Sequence, residues 1–272
     1  MSVMAQLEWH EDHFNLAGFT FRLQHGVTGD TADDAFLFYK SRSQVEQFDR
    51  FLEETSFRPA TVLELGIWDG GSAAFWVETL GLKQYAAIDL QTRGDASYYR
   101  RWHAERGEGV ARTFWGVSQT DAEAINRIIS RHQLDPLDLV LDDCSHQLDC
   151  TLDSFQLLFN RVRPGGWYII EDWAWALQPD FQRPKHPWGP FPAMHPLVHS
   201  IVDLHGGRPD LIPSVRVYPD FVAVERGPVT ADPFVLSDLI PRRARPWSKV
   251  ALRRIRRTAG SVRRQLSGRR ST

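Results

Sequence analysis

The sequence predicts an α/β fold: a doubly wound, mostly parallel sheet of seven strands with a C-terminal antiparallel hairpin. Three observations predict it. Short apolar runs of strand length alternate with helical stretches from residue 61 onward, which is the pattern of βαβ units. A glycine-rich turn follows the first of those runs. Acids stand at the ends of several runs, where open sheets of this kind bind ligands.

The elements follow in order. Residues 1–30 hold short alternating stretches (Phe19, Phe21, Leu23) broken by Gly18, Gly26 and Gly29, and read as a small hairpin or irregular lead-in. From Asp33 to about Glu54, Phe36, Phe38, Val45, Phe48, Phe51 and Leu52 recur at helical spacing. Strands are expected at Thr61–Leu65, Gln84–Leu90, Ala111–Trp115, Leu137–Asp143 and Trp167–Asp172. Helices are expected between them at Ser72–Leu80, Tyr98–Arg106, Asp121–His132 (capped by Thr120 or Asp121) and Cys150–Val162. A Pro/Trp-rich loop, 173–196, precedes a helix over Pro196–His205 and two strands, Ser214–Tyr218 and Phe221–Glu225, joined tightly at Pro219–Asp220. The organisation expected is a lead-in over 1–30, the α/β domain over 31–235 and a basic tail over 236–272.

Composition narrows the function classes. The 272 residues are 42% apolar and 24% charged, as in ordinary globular proteins. No apolar run reaches the roughly 18 residues of a spanning helix. The N-terminus lacks a basic region followed by an apolar one, so no secretory leader is expected. Cys144 and Cys150 make no disulfide framework, and the default expectation is a cytoplasmic protein. The net charge of −2 averages two unlike regions. Residues 241–272 carry 12 Lys+Arg and no acid, which leaves 20 basic and 34 acidic residues in the rest. An acidic body argues against a nucleic-acid partner. In the tail, Trp247, Ala251, Ile255, Ala259, Val262 and Leu266 share one helical stripe among arginines. That pattern suits peripheral contact with an anionic membrane or an acidic partner, and equally a solvated extension.

After the first strand the chain reads Glu64-Leu-Gly66-Ile-Trp-Asp-Gly70-Gly71-Ser72. Glycines let the backbone turn tightly, and the next helix offers free N–H groups at its start. Trp68 stands where a dinucleotide fingerprint has its second glycine, so a pyrophosphate is not the expected ligand. Glu64 suits an ammonium group, and Asp89, closing the second strand, suits ribose hydroxyls. A cationic amino-acid nucleoside fits such a site better than a phosphate. The turn resembles the first motif of class I S-adenosylmethionine-dependent methyltransferases, acid-x-Gly-x-x-x-Gly. That resemblance implies a Rossmann-like methyltransferase fold with Glu64, Gly66, Gly70 and Ser72 around the methionine part, Asp89 on the ribose, and Ser118 and Gln119 near the adenine.

The fourth strand ends Asp142-Asp143-Cys144-Ser145-His146 and the fifth ends Glu171-Asp172. Neighbouring strands lie about 5 Å apart, so these acids are expected to converge. Carboxylates gathered without basic partners repel unless a cation neutralises them. Oxygen ligands suit a hard ion, Mg²⁺ before Mn²⁺ or Ca²⁺. Taken singly, the same acids read as a helix cap and solvated loop residues. The catalytic expectation fails if the acids point away from each other, or if an arginine or a lysine satisfies them.

The D-D-x-S-H element, joined through a helix and Pro164-Gly165-Gly166 to I-E-D, resembles the metal-dependent sugar O-methyltransferases of macrolide biosynthesis. Cephalosporin-hydroxylase-like proteins and the mycobacterial methyltransferases of mannose polysaccharides are similar too. The resemblance covers Val62 to Trp173. It implies Asp143, Glu171 and Asp172 as metal ligands, His146 as general base, and Asp142 as a contact to the donor or a support for the site. Cys144 departs from the usual glycine. The function implied is metal-assisted methylation of a hydroxyl on a sugar-containing acceptor, with Trp173, Trp175 and Trp188 available for stacking. A hydroxylase component or other oxidoreductase on the same fold, and a non-catalytic donor-binding protein, are the alternatives. Acceptor identity and self-association are not legible.

Overall fold

The computed structural model describes residues 2–24, 31–94, 96–183, 186 and 188–240. The expectations for the basic tail fall almost wholly outside these residues.

The N-terminal segment builds a small four-stranded sheet in the order β1-β2-β3-β4, from β1 (Glu8–Trp9), β2 (His13–Leu16), β3 (Phe19–Leu23) and β4 (Phe36–Phe38). The first three are antiparallel neighbours and β4 joins β3 in parallel. Phe36 and Phe38 are thus in a strand, a correction to the helical reading of that stretch. Their spacing fits a helix on paper, but pairing with Phe21 and Leu23 and burial beside Phe14 decide for the strand. The sheet also crosses the 30/31 boundary, so lead-in and domain share it. The helix proper, α1 (Arg42–Thr55), starts where the Ser41 side chain accepts the Gln44 amide at 3.1 Å.

The main body alternates β5 (Thr61–Leu65), α2 (Gly71–Leu80), β6 (Gln84–Asp89), α3 (Ser97–Trp102), β7 (Ala111–Trp115), α4 (Ala122–Arg131), β8 (Leu137–Asp142), α5 (Leu148–Leu158) and β9 (Val162–Glu171). Then come α6 (His195–Gly207), β10 (Val215–Val217), β11 (Phe221–Glu225) and α7 (Leu236–Leu239). The seven strands run β10-β11-β9-β8-β5-β6-β7. Five are parallel, and β11 and β10 close the edge as the expected antiparallel hairpin.

Both sheet faces are apolar, as the central strands of a covered parallel sheet require. One face packs Val62, Leu139, Leu141 and Ile169 against Phe48, Phe51, Phe75 and Trp76. The other packs Leu63, Leu65, Val140 and Ile170 against Ile125, Ile129, Phe155 and Ile201. The strand order reverses at β5, which has β6 on one side and β8 on the other. That switch point opens a crevice at the carboxyl ends of β5, β6 and β8. No helix among the described residues is long and apolar enough to cross a membrane.

Candidate active site

Register decides which side chains meet. Leu65 lies opposite Asp142 and Asp142 opposite Ile170, so Asp143 and Glu171 leave the sheet side by side. Between β5 and β8 the backbones pass very closely. Gly66 has φ +87°, and a Cβ there would stand 2.2 Å from the carbonyl oxygen of Asp143. Gly70, at φ +90° before α2, lies beneath the ring of Tyr99, 2.2 Å from where its Cβ would be. Both glycines are demanded by geometry.

The turn between them is fixed by acids. Asp89 Oδ2 accepts the amides of Ile67 and Trp68, each at 2.9 Å, and Oδ1 accepts the Gln91 amide at 2.7 Å. Asp69, which sequence reasoning passed over, accepts the amides of Leu37 (3.0 Å) and Gly71 (3.1 Å) and so ties β4 to the loop. Glu64 corrects an expectation. It is wholly buried, and its two oxygens accept the hydroxyls of Ser72 and Tyr85 instead of facing a ligand's ammonium group. Ser72 is committed to the same bond. Burial pushes the Glu64 carboxyl up to about 7, against an ordinary 4.5.

That shift has a sign. With the folded-state value raised, the native protein binds more protons than the unfolded chain between about pH 4.5 and 7, so Glu64 costs stability as pH rises through that window. Glu64→Gln is expected to flatten the fall in unfolding free energy between pH 5 and 7 by about 2 kcal/mol, read by urea titration at each pH. An unchanged pH slope would show that Glu64 stays ionised.

Asp142 is likewise interior. It accepts Ser154 Oγ at 2.5 Å, Tyr168 OH at 2.7 Å and Gln119 Nε2 at 3.4 Å, and burial raises its carboxyl to about 6. These bonds tie Asp142 to α5, to β9 and to the loop after β7. Gln119 is buried and also accepts the Ser145 amide at 3.0 Å, which links the loop after β7 to the loop after β8. Ser118 remains partly open, bonded to Thr120 at 3.0 Å.

The acids at the ends of β8 and β9 converge, together with His146. One ligand atom each from Asp143, His146 and Asp172 lies within 4.8 Å of the other two. His146 Nε2 stands 3.8 Å from Asp143 Oδ1 and 3.7 Å from Asp172 Oδ2. His146 and Asp172 both have φ +52°, a conformation that costs a non-glycine residue roughly 1–2 kcal/mol and that collects at functional sites. Glu171 is fully buried and stands outside this group of three.

Lys40 was missed. The sequence reading assumed acids without a basic partner, and the structure supplies one. Lys40 Nζ lies 2.5 Å from Asp143 Oδ2 and 2.7 Å from Glu171 Oε2, and Gln44 Nε2 donates to the same Glu171 oxygen at 2.8 Å. The two acids keep the lysine charged, raising its pKa despite burial. Each acid still has a second oxygen. Glu171 Oε1 is buried with no hydrogen-bond partner, an expensive state for a carboxylate oxygen unless a cation takes it. Lys40 therefore meets the counter-condition for one oxygen of each acid, and only Asp143 Oδ1 and Glu171 Oε1 are left by it for a hard ion.

The tryptophans divide. Trp175 is buried and donates to the His146 carbonyl at 3.0 Å, and Trp173 donates to the Tyr218 carbonyl at 2.9 Å. These two hold the loop, a correction to the stacking role, whereas Trp188 lies with its ring 5.8 Å from that of His146.

Residues 63–173 match the family model described as a methyltransferase domain. Mycinamicin VI 2''-O-methyltransferase of Micromonospora griseorubida is 33% identical over 141 residues, 49% of this chain and 32% of that protein. Demethylmacrocin O-methyltransferase of Streptomyces fradiae is 32% identical over 163 residues, 57% of this chain and 38% of that protein. The chain therefore spans about a third of the length of these relatives. Among solved structures, the MycE methyltransferase of mycinamycin biosynthesis in complex with Mg, SAH and mycinamycin VI superposes with a TM-score of 0.52 at 29% identity, covering 70% of this chain and 51% of that one. Residues 63–173 are accordingly similar to methyltransferase domains, the sheet has the Rossmann-like methyltransferase fold, and the relatives it matches are named as O-methyltransferases.

Proposed function

We propose that this protein transfers a methyl group from S-adenosylmethionine to a hydroxyl of a sugar-containing small molecule, with His146 as base and a divalent ion, Mg²⁺ first, held by Asp143, Glu171 and Asp172. The observation that carries the reading is the meeting of Asp143, His146 and Asp172 at two adjoining strand ends, beside the glycine turn. The relatives named as O-methyltransferases, and a related structure solved with Mg, SAH and mycinamycin VI, support it. A cytoplasmic setting, and membrane contact through the tail, belong to the same proposal.

A divalent ion at these acids supplies Lewis acidity that lowers the pKa of an acceptor alcohol. The chain's own residues do the rest. Nε2 of His146 takes the alcohol proton, and Asp143 and Asp172, 3.7–3.8 Å away, stabilise the imidazolium that results. Methyl transfer then needs only the freed oxygen in line with the sulfonium carbon, and the positive charge of the donor is cancelled as the C–S bond breaks. Gly66 and Gly70 let the backbone approach the donor, Asp89 holds the turn and keeps spare acceptor capacity on Oδ1 for a ribose hydroxyl, and Ser118 is open to the adenine. Trp188, with its ring 5.8 Å from that of His146, is the tryptophan placed to meet an acceptor beside the base.

Incubating the protein with S-adenosylmethionine, Mg²⁺ and a panel of glycosylated macrolides is expected to yield products heavier by one methyl, with turnover abolished by EDTA and restored by Mg²⁺. Turnover that survives exhaustive chelation would remove the metal from the proposal.

A further inference from the structure

We propose that Lys40 is a positioning residue, an internal counter-cation that keeps Asp143 and Glu171 together without a divalent ion and shares them with one when it binds. This rests on the metal site proposed above. Lys40 comes from the segment between β4 and α1, and its partners lie 103 and 131 residues further along the chain. Its side chain is only 4% exposed, so its charge is held within the protein and not by solvent.

The bonding is divided by oxygen. Oε2 of Glu171 receives two donors, Lys40 and Gln44, whereas Oε1 is buried and receives none. In Asp143, Oδ2 goes to Lys40 and Oδ1 faces His146 at 3.8 Å. A lysine that replaced the metal outright would be expected to leave no buried carboxylate oxygen bare. The lysine therefore holds the acid pair together against mutual repulsion and leaves one oxygen of each acid for an ion.

The test is thermal unfolding of wild type, Lys40→Met and Lys40→Gln, each in EDTA and in Mg²⁺, with Mn²⁺ binding followed by electron paramagnetic resonance. In EDTA, Lys40→Met is expected to melt at least about 5 °C below wild type, because it strands buried carboxylates. Mg²⁺ is expected to raise its melting point about twice as much as it raises that of wild type. Lys40→Gln keeps a donor and loses the charge, so it should show the same order with a smaller amplitude, and it serves if the Met variant does not fold. Either variant melting with wild type in EDTA overturns the role of Lys40. Wild type that binds no Mn²⁺ and gains nothing from Mg²⁺ overturns the metal site itself, a result read without any variant.

Discussion

Replacing His146 with asparagine is expected to lower the methyl-transfer rate by about 10²–10⁴, the usual contribution of a positioned general base, while the affinity for S-adenosylhomocysteine stays within about twofold of wild type. Asparagine is the informative substitute because position 146 has φ +52°, which asparagine tolerates better than most side chains. Alanine would add a backbone cost to the chemical one. The rate is measured as methyl incorporation into a sugar acceptor, and donor-product affinity by calorimetry. The two readouts are expected to separate because the imidazole faces Asp143 and Asp172, whereas the glycine turn is held by Asp89 and Asp69. Retained turnover removes His146 as the base. A parallel loss of rate and donor affinity would instead make it part of the donor site.

The residues the sequence exposed were those whose meaning is local. Acids at the ends of apolar strand runs identify themselves, and β8 and β9 do carry Asp143 and Glu171 out of the sheet together. What stayed hidden depends on distant partners. Lys40 looks like any lysine beside a helix cap, and its two carboxylates lie more than a hundred residues away. Glu64 reads as a ligand-facing acid until Tyr85 of β6 and Ser72 of α2 take both oxygens, since alternation along a strand does not say which buried face will carry a polar partner. Phe36 and Phe38 misled for a related reason. A three-residue strand is too short to show its own period, and only its parallel pairing with β3 identifies it. Asp69 left no signal beyond its side-chain chemistry, and Gln119, placed near the adenine by resemblance, gave no sign of its bond to the Ser145 amide, because each links segments distant in the chain.

The glycine turn gives the second large effect. Gly66→Ala is expected to destabilise the protein by about 3 kcal/mol or more, from a left-handed backbone penalty of roughly 1–2 kcal/mol and a steric penalty of similar size. The steric part is unusually firm, because the new methyl would meet backbone: Asp143 O at 2.2 Å, and Asp143 C and Cys144 Cα at 2.9 Å. No side-chain rotation relieves that contact, so β5 and β8 must part at the crevice, carrying Asp143 away from His146. For a domain of this size the melting temperature should fall by about 10 °C, and Mg²⁺ binding should weaken with it. Gly18→Ala is the matched control. Gly18 has φ +85°, nearly the value at Gly66, but nothing lies within 4 Å of its added Cβ. It is expected to cost only the backbone penalty and to leave metal binding untouched. Equal losses at the two positions, measured by urea unfolding, would mean that β5 and the acid-bearing turn do not approach as closely as the structure has them, and that the convergence of Asp143 with Asp172 is set elsewhere.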